Sequence, residues 1–473
     1  MRSLSLLLTL LAVSLSAAIQ DNPDVKGAER LFEAWIRGQL AYRGIPGVAV
    51  GVVHNQELVW ARGFGYADLE NKIPMTPKTR FRMASHSKLF TATSIMQLRE
   101  AGKLRLDDPV SKYLPWFEVK PAEPGDPPIT IEELLTHSSG LPREAGSHWS
   151  DYKFPDADGL KQFIKENNTA YSPEVRWKYS NLAFSIAGQI VEALSGQAFS
   201  DYVQTNIFNP LGMGDSSIDK QVEGLTKGYG RRMPDSRRSV MPFIDAHAMG
   251  PATGISSTVE DMAKFVELQF RKGKTGGPQI LNTGSLREMH RVRMLENNWT
   301  TGNAIGFIVN REKDRVYVGH GGSYPGNQTQ TLMQLDDQIG VIVLTNADDA
   351  VPRDIARELM QTVGEAVARA AAEPGKPIRW EPSWSRFAGL YRSRFSDSEV
   401  VELNKRLVII SPNGPSPTVQ TRLIPLGDGR FRSEAATGGS AIGEIVRFVE
   451  VDGKVTRMYV GGSYSDRVPT ATQ

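Results

Sequence analysis

The segments of this chain that read as β-strands are split between two distant regions, and a long helical span separates them. Gly47-Val48-Ala49-Val50-Gly51-Val52-Val53 and Glu57-Leu58-Val59-Trp60-Ala61-Arg62-Gly63 flank His54-Asn55-Gln56 as the arms of a hairpin would. Strand patterns then lapse until 315–318, 329–335 and 339–345, the last two joined by Asp336-Asp337-Gln338. This arrangement points to one α/β (α+β) domain whose antiparallel sheet is built from both of its ends and flanked by helices. The span up to about Met294 would be a helical insertion.

Helical periodicity predicts 28–41, through Leu31, Phe32, Trp35, Ile36 and Leu40, a short segment at 131–135, and about 353–371. The clearest helix is 181–194, with Ala183, Ile186, Ala187, Ile190, Val191 and Leu194 on one stripe. Glu373-Pro374-Gly375-Lys376-Pro377 marks a linker, 373–380, which bounds the main domain at 19–372. Beyond it, 381–473 carries seven short strand patterns, with Asp428-Gly429 and Asp452-Gly453 as tight turns. A separate antiparallel β-barrel or sandwich of seven or eight strands is expected there.

Residues 1–18 begin with Arg2, run through an apolar stretch at 4–15 and end in Ser16-Ala17-Ala18, the pattern of an export signal cleaved after Ala18. The stretch is short of the ~20 apolar residues of a membrane span, so no stable membrane anchor is expected. Export would place the protein in a bacterial periplasm or outside the cell. With 55 basic and 53 acidic residues, net charge +2, nothing in the chain favours nucleic acid. Zero cysteines remove disulfides, thiol catalysis and thiolate metal sites together.

Chemistry concentrates in Phe81-Arg82-Met83-Ala84-Ser85-His86-Ser87-Lys88-Leu89-Phe90, where Ser85 and Lys88 stand one helical turn apart and share a face. A serine hydroxyl needs a neighbouring base, and lysine serves only if its surroundings lower a pKa of ~10.4. Lys88, Ala92, Ile95, Met96 and Arg99, stopped at Gly102, read as a helix opening at Ser85. A backbone N–H at that positive helix end can face an oxyanion. A serine cap followed by a solvated lysine explains a lone Ser-x-x-Lys equally well, and Ser217-Ile218-Asp219-Lys220 is rejected because no amphipathic helix follows it. Tyr179-Ser180-Asn181 adds a phenol, expected to be partly phenolate, and a carboxamide able to hold a lysine and a substrate carbonyl at once. Gly319-His320-Gly321-Gly322-Ser323 offers bare backbone to an extended substrate, or else a glycine-rich hairpin turn.

Taken in order, Ser85-x-x-Lys88, Tyr179-x-Asn181 and His320-Gly321-Gly322 resemble the motifs of the serine β-lactamase and penicillin-binding-protein superfamily, within it the class C β-lactamase-like group. Supporting stretches are Leu134-Leu135-Thr136-His137-Ser138-Ser139-Gly140-Leu141-Pro142, Pro210-Leu211-Gly212-Met213 and Gly254-Ile255-Ser256-Ser257-Thr258-Val259-Glu260-Asp261-Met262, and the resemblance covers roughly residues 25–370. It implies a β-lactamase/transpeptidase-like fold in which Ser85 is acylated while Lys88 and Tyr179 share base and acid duty. Asn181, His320, Gly321 and Gly322 would bind the substrate, and the N–H groups of Ser85 and Ser323 would form the oxyanion hole. No metal or cofactor is implied. The activity implied is that of a carboxylesterase or a D-Ala-type carboxypeptidase or aminopeptidase. Its alternatives are a class C-like β-lactamase and a catalytically silent penicillin- or peptidoglycan-binding protein. The partner is then a small ester, a peptide, a β-lactam or a peptidoglycan fragment.

Many relatives carry Lys-Thr-Gly as the third motif, and Lys274-Thr275-Gly276 has that composition, but it sits in Arg271-Lys272-Gly273-Lys274-Thr275-Gly276-Gly277-Pro278, a loop pattern. With His320 in that place, the permanent charge that grips a substrate carboxylate is lost. Efficient β-lactam hydrolysis is therefore not expected, and any preference for carboxylate-bearing substrates should weaken as pH rises through the histidine pKa. Other hydrolase designs lack their signatures, since neither Gly-x-Ser-x-Gly nor His-Glu-x-x-His occurs. Gly63-Phe64-Gly65 and Gly228-Tyr229-Gly230 read as turns, and His137 reads as structural. The terminal β-region shows no catalytic constellation, which leaves docking of a partner as its possible role.

Overall fold

The computed structural model describes residues 19–219, 221–271, 277–312, 315–371, 381–403, 405–412, 420–435 and 441–469. The expected leader, the linker, Lys220 and Lys274-Thr275-Gly276 lie outside these residues. The chain divides into two compact units, Met1–Ala371 and Ala372–Gln473.

Helix α1 (Pro23–Arg43) begins five residues before the periodicity predicts. The cause is its cap: Asn22 accepts from the N–H groups of Asp24 and Val25, and Pro23 is preset for a first turn. Phe32, Ile36 and Leu40 are buried, whereas Leu31, which the periodicity places on the same stripe, is 64% exposed. Strands β1 (Gly47–His54) and β2 (Glu57–Asp68) form the expected hairpin. Gly63-Phe64-Gly65 is not a turn, because β2 keeps pairing with β1 as far as Gly47↔Gly65 and then with β3 (Ile73–Pro74). Gly228 and Tyr229 likewise pair with Met241 and Val240.

Among the helices that follow are α2 (Ser87–Glu100), α3 (Ile131–Leu135), α4 (Asn181–Ser195) and α5 (Val259–Gln269). After them come β4 (Met294–Leu295), β5 (Thr301–Asn303), β6 (Ile308–Glu312), β7 (Arg315–Tyr324), β8 (Asn327–Gln334) and β9 (Ile339–Thr345). The expected helix near 353–371 is α6 (Pro352–Leu359) and α7 (Glu365–Ala371), joined by one wider π-helical turn.

The sheet order is β3-β2-β1-β9-β8-β7-β6-β5-β4, with β1 antiparallel to β9 from Val48↔Thr345 to His54↔Ile339. The distant strand groups thus meet at the centre of one sheet. On β1, Val48, Val50 and Val52 face α1 and the 352–371 helices, as do Ile339, Val341 and Val343 of β9. Ala49, Val53, Ile342 and Leu344 face the side of α2, α4 and α5. Burial of both faces explains why these strands are apolar at nearly every position instead of alternating.

Among its described residues the second unit is a closed antiparallel barrel of eight strands: β10 (Gly389–Arg392), β11 (Asp397–Glu402), β12 (Leu407–Ile410), β13 (Thr421–Gly427), β14 (Arg430–Glu434), β15 (Ile445–Val451), β16 (Lys454–Val460) and β17 (Ser463–Arg467). Its core includes Phe387, Tyr391, Val400, Phe431 and Val446. Seven strands match sequence patterns. The eighth, β17, reads Ser-Tyr-Ser-Asp-Arg, too polar to register as a strand, yet it closes the barrel through Tyr391↔Arg467. Asp428-Gly429 and Asp452-Gly453 have positive φ at both positions, as two-residue hairpins require.

Where β7 passes the turn carrying Ser85, the chain needs glycine at one position. A Cβ on Gly322 would lie 2.3 Å from Met83 O and from Thr329 Oγ1, while at Gly321 the nearest atom is the mobile end of Gln330 at 2.9 Å. Gly322→Ala is therefore expected to cost roughly 1–3 kcal/mol, and Gly321→Ala clearly less. Thermal denaturation of the two variants checks this, and equal losses would contradict it.

Candidate active site

The turn that presents Ser85 is held by a small sheet. Phe81 and Arg82 pair with Ser257 and Ser256, and Met83 N donates to Ile255 O at 2.8 Å. Ala84 then takes φ +50°, a left-handed conformation unusual for a residue with a Cβ. Ser87 Oγ donates to Ala84 O at 2.7 Å and secures it. A 3₁₀ turn, Ala84–His86, follows and runs into α2, so the regular helix starts two residues later than the pattern predicts. Ser85 and Lys88 still share a face.

Lys88 is wholly buried. Its Nζ lies 2.7 Å from Asn181 Oδ1, 2.9 Å from Ala252 O and 3.1 Å from Ser85 Oγ. The carboxamide and peptide oxygens only accept, so they take two N–H bonds. The remaining direction points at Ser85 and holds a third proton in the ammonium or the lone pair in the neutral amine. Burial drives the Lys88 pKa well below its ordinary value; the Glu144 charge opposes this and the Arg143 charge adds to it.

Tyr179 OH donates to Ser85 Oγ at 2.7 Å. Burial pushes its pKa up to about 12, which corrects the expectation of a partial phenolate: the ring is a neutral phenol. His137 lies against that ring at 4.3 Å between centroids, and its Nδ1 accepts the Ser180 N–H at 3.1 Å. Ser180 in turn caps α4 by accepting from Ala183 N. Asn181 thus begins the helix with Oδ1 on Lys88 and Nδ2 donating to Glu144 Oε1 at 2.7 Å. One carboxamide hydrogen expected to be free for a substrate is therefore engaged.

His320, Gly321, Gly322 and Ser323 lie inside β7, opposite Thr331, Gln330, Thr329 and Gln328 of β8. The alternative of a hairpin turn fails, since the chain reverses only at Pro325-Gly326. On the other side the ladder with β6 stops at Gly319, so among the described residues His320 to Tyr324 carry no strand partner there. That edge is open to an extended ligand. His320 is buried, with Nδ1 2.6 Å from Gly321 O and Nε2 without a partner. Burial, with the Lys88 charge nearby, lowers its pKa to about 3. The imidazole is neutral throughout pH 5 to 8, and the expected titration of substrate preference falls with that.

A cleft of about 1090 Å³ opens onto Ser85, Tyr179, Asn181 and His320, with Trp149 and Trp177 among its walls. No trio of His, Asp or Glu able to hold a metal occurs among the described residues. Sequence reasoning missed Glu144, Arg143 and Ala252 O. The first two directly follow the Leu141-Pro142 stretch and could have been found there; Ala252 acts through its main chain, for which residue type gives no signal.

The family model for Beta-lactamase matches residues 32–365. Penicillin-binding protein 4* of Bacillus subtilis (strain 168) is 26% identical over 62% of this chain and 66% of its own length. Putative penicillin-binding protein PbpX of the same organism is 35% identical over 47% of this chain and 54% of its own. The chain spans less than two thirds of either relative. The solved octameric penicillin-binding protein homologue from Pyrococcus abyssi shares the fold, with a TM-score of 0.62, 24% identity and coverage of 92% of this chain and 98% of its own.

Because His320 stays neutral, the ratio of turnover for a carboxylate-bearing ester to that for its neutral analogue is expected to stay within about twofold from pH 5 to 8. A tenfold fall across that range would contradict the assignment of His320 as uncharged.

Proposed function

This chain belongs to the β-lactamase family, and from that premise we propose that it is a serine hydrolase working through a Ser85 acyl-enzyme on an ester or a peptide-like amide. The observation that carries the reading is the convergence on Ser85 Oγ of Lys88 Nζ at 3.1 Å and Tyr179 OH at 2.7 Å. The neutral Lys88 amine takes the Ser85 proton as Oγ attacks the carbonyl carbon. The N–H groups of Ser85 and Ser323 receive the oxyanion, and Tyr179, which already donates toward Oγ, hands a proton to the leaving atom and is replenished from Lys88. Water then hydrolyses the ester by the reverse path.

Burial favours the unprotonated amine, which suits a base working near neutral pH. Carboxylesterase or D-Ala-type peptidase activity is the narrower reading. A neutral His320 supplies no cation for the substrate carboxylate that a β-lactam or a peptide C-terminus presents, which favours neutral esters and amides over β-lactams and, within the narrower reading, carboxylesterase or aminopeptidase action over carboxypeptidase action. Export of the chain, proposed from the 1–18 pattern, would place it among envelope substrates such as peptidoglycan fragments; no helix among the described residues is long and apolar enough to cross a membrane.

Ser85→Ala is expected to abolish turnover of short-chain nitrophenyl esters by at least about 10³-fold. It should also abolish covalent labelling by a fluorophosphonate or a penicillin. Mass spectrometry of intact protein, with release of the adduct on standing, checks the acyl-enzyme. Binding of these reagents without any adduct would favour the catalytically silent alternative.

A further inference from the structure

The segment Pro142-Arg143-Glu144 is stapled to the start of α4. Ser180 Oγ donates to Pro142 O at 2.6 Å, Asn181 N to Arg143 O at 2.8 Å, and Asn181 Nδ2 to Glu144 Oε1 at 2.7 Å. The third bond completes a line of contacts from the Glu144 carboxylate through the Asn181 carboxamide and the Lys88 amine to the Ser85 hydroxyl. Around Glu144, Arg143 Nε lies 3.2 Å from Oε1 and His148 Nε2 3.1 Å from Oε2. We propose that Glu144 is a positioning residue that fixes which way Asn181 faces and, by its charge, sets the pH at which Lys88 becomes a base. The inference rests on the Ser85 hydrolase reading above.

The orienting role follows from donor and acceptor chemistry. A carboxamide packs almost equally well in either of two flipped orientations, but an ionised carboxylate only accepts. Glu144 therefore binds the NH₂ end and turns Oδ1 toward Lys88; a neutral amide in its place could bind either end.

The charge argument depends on what else faces Lys88. Tyr179 is a neutral phenol, and burial keeps His137 and His320 unprotonated; the buried His86, nearby, has its pKa lowered to about 4 by burial. Burial alone would raise the Glu144 pKa, but hydrogen bonds led by that from His148 hold it below the usual carboxylate range. Between pH 5 and 8, Glu144 and Arg143 thus remain the nearby fixed charges acting on the amine. Burial drives Lys88 toward the neutral form, Arg143 assists, and Glu144 holds it back. Removing the negative charge should let the base form at lower pH.

The test is the second-order rate of Ser85 labelling by a fluorophosphonate, followed from pH 5 to 9 in the full chain. Glu144→Gln keeps an acceptor for Asn181 but drops the charge, and its acid limb is expected about one pH unit below that of the wild type. Glu144→Asp keeps the charge on a shorter arm, so its limb should stay in place while the rate falls. A Glu144→Gln limb that stays put or moves upward overturns the inference, as does an equal shift in both variants. Failure of wild-type Ser85 to label, or equal labelling of Ser85→Ala, overturns the hydrolase reading and the inference with it.

Discussion

A lysine amine with no exposed surface, set among Asn181 Oδ1, Ala252 O and Ser85 Oγ, is the contact on which this structure depends. Burying an ammonium is costly unless partners replace its water. Here the partners come from the start of α4, the short helix Gly250–Thr253 and the turn before α2, three segments that no local folding brings together. The large sheet and its helical insertion hold them in place. With the amine satisfied on two sides by oxygens that only accept, its third direction is committed to the serine.

The same burial that tunes Lys88 keeps the surrounding aromatic groups uncharged. Tyr179 is raised to about 12, His320 lowered to about 3, and His137 lowered well below its ordinary value. Each is kept as a neutral donor, acceptor or packing surface. Charge developing on a substrate oxygen would then meet fixed dipoles with few mobile counter-charges, the condition under which an oxyanion hole is most effective. Within this design His137 acts at one remove: it lies against the Tyr179 ring and accepts the Ser180 N–H, so it fixes the loop that brings phenol and carboxamide to the serine.

Much of this was legible in the sequence where residue type and spacing carry the signal. β1 and β9 are apolar because both faces are covered, and α3 stands where the pattern puts it. Ser85, Lys88, Tyr179 and Asn181 meet as their order suggests. What escaped depends on contacts that spacing does not encode. β7 continues through His320-Gly321-Gly322 because its ladder with β8 outweighs the glycines' preference for turns. The protonation of Tyr179 and His320 follows from burial, which a motif does not reveal. Glu144 reaches the site because hydrogen bonds from Ser180, Asn181 and Leu182 tie its segment to the start of α4, and β17 is a strand because the barrel needs closing, although its residues are polar.

The central claim is that Lys88 is a base at neutral pH because it is buried. Its direct measurement is an NMR titration of the lysine side-chain signals in protein labelled at lysine Nζ, with Lys88 assigned by loss of its signal in Lys88→Arg. The account predicts that Lys88 titrates well below the ordinary ~10.4 of a solvated lysine. A Lys88 that stays protonated up to or beyond that value would contradict it.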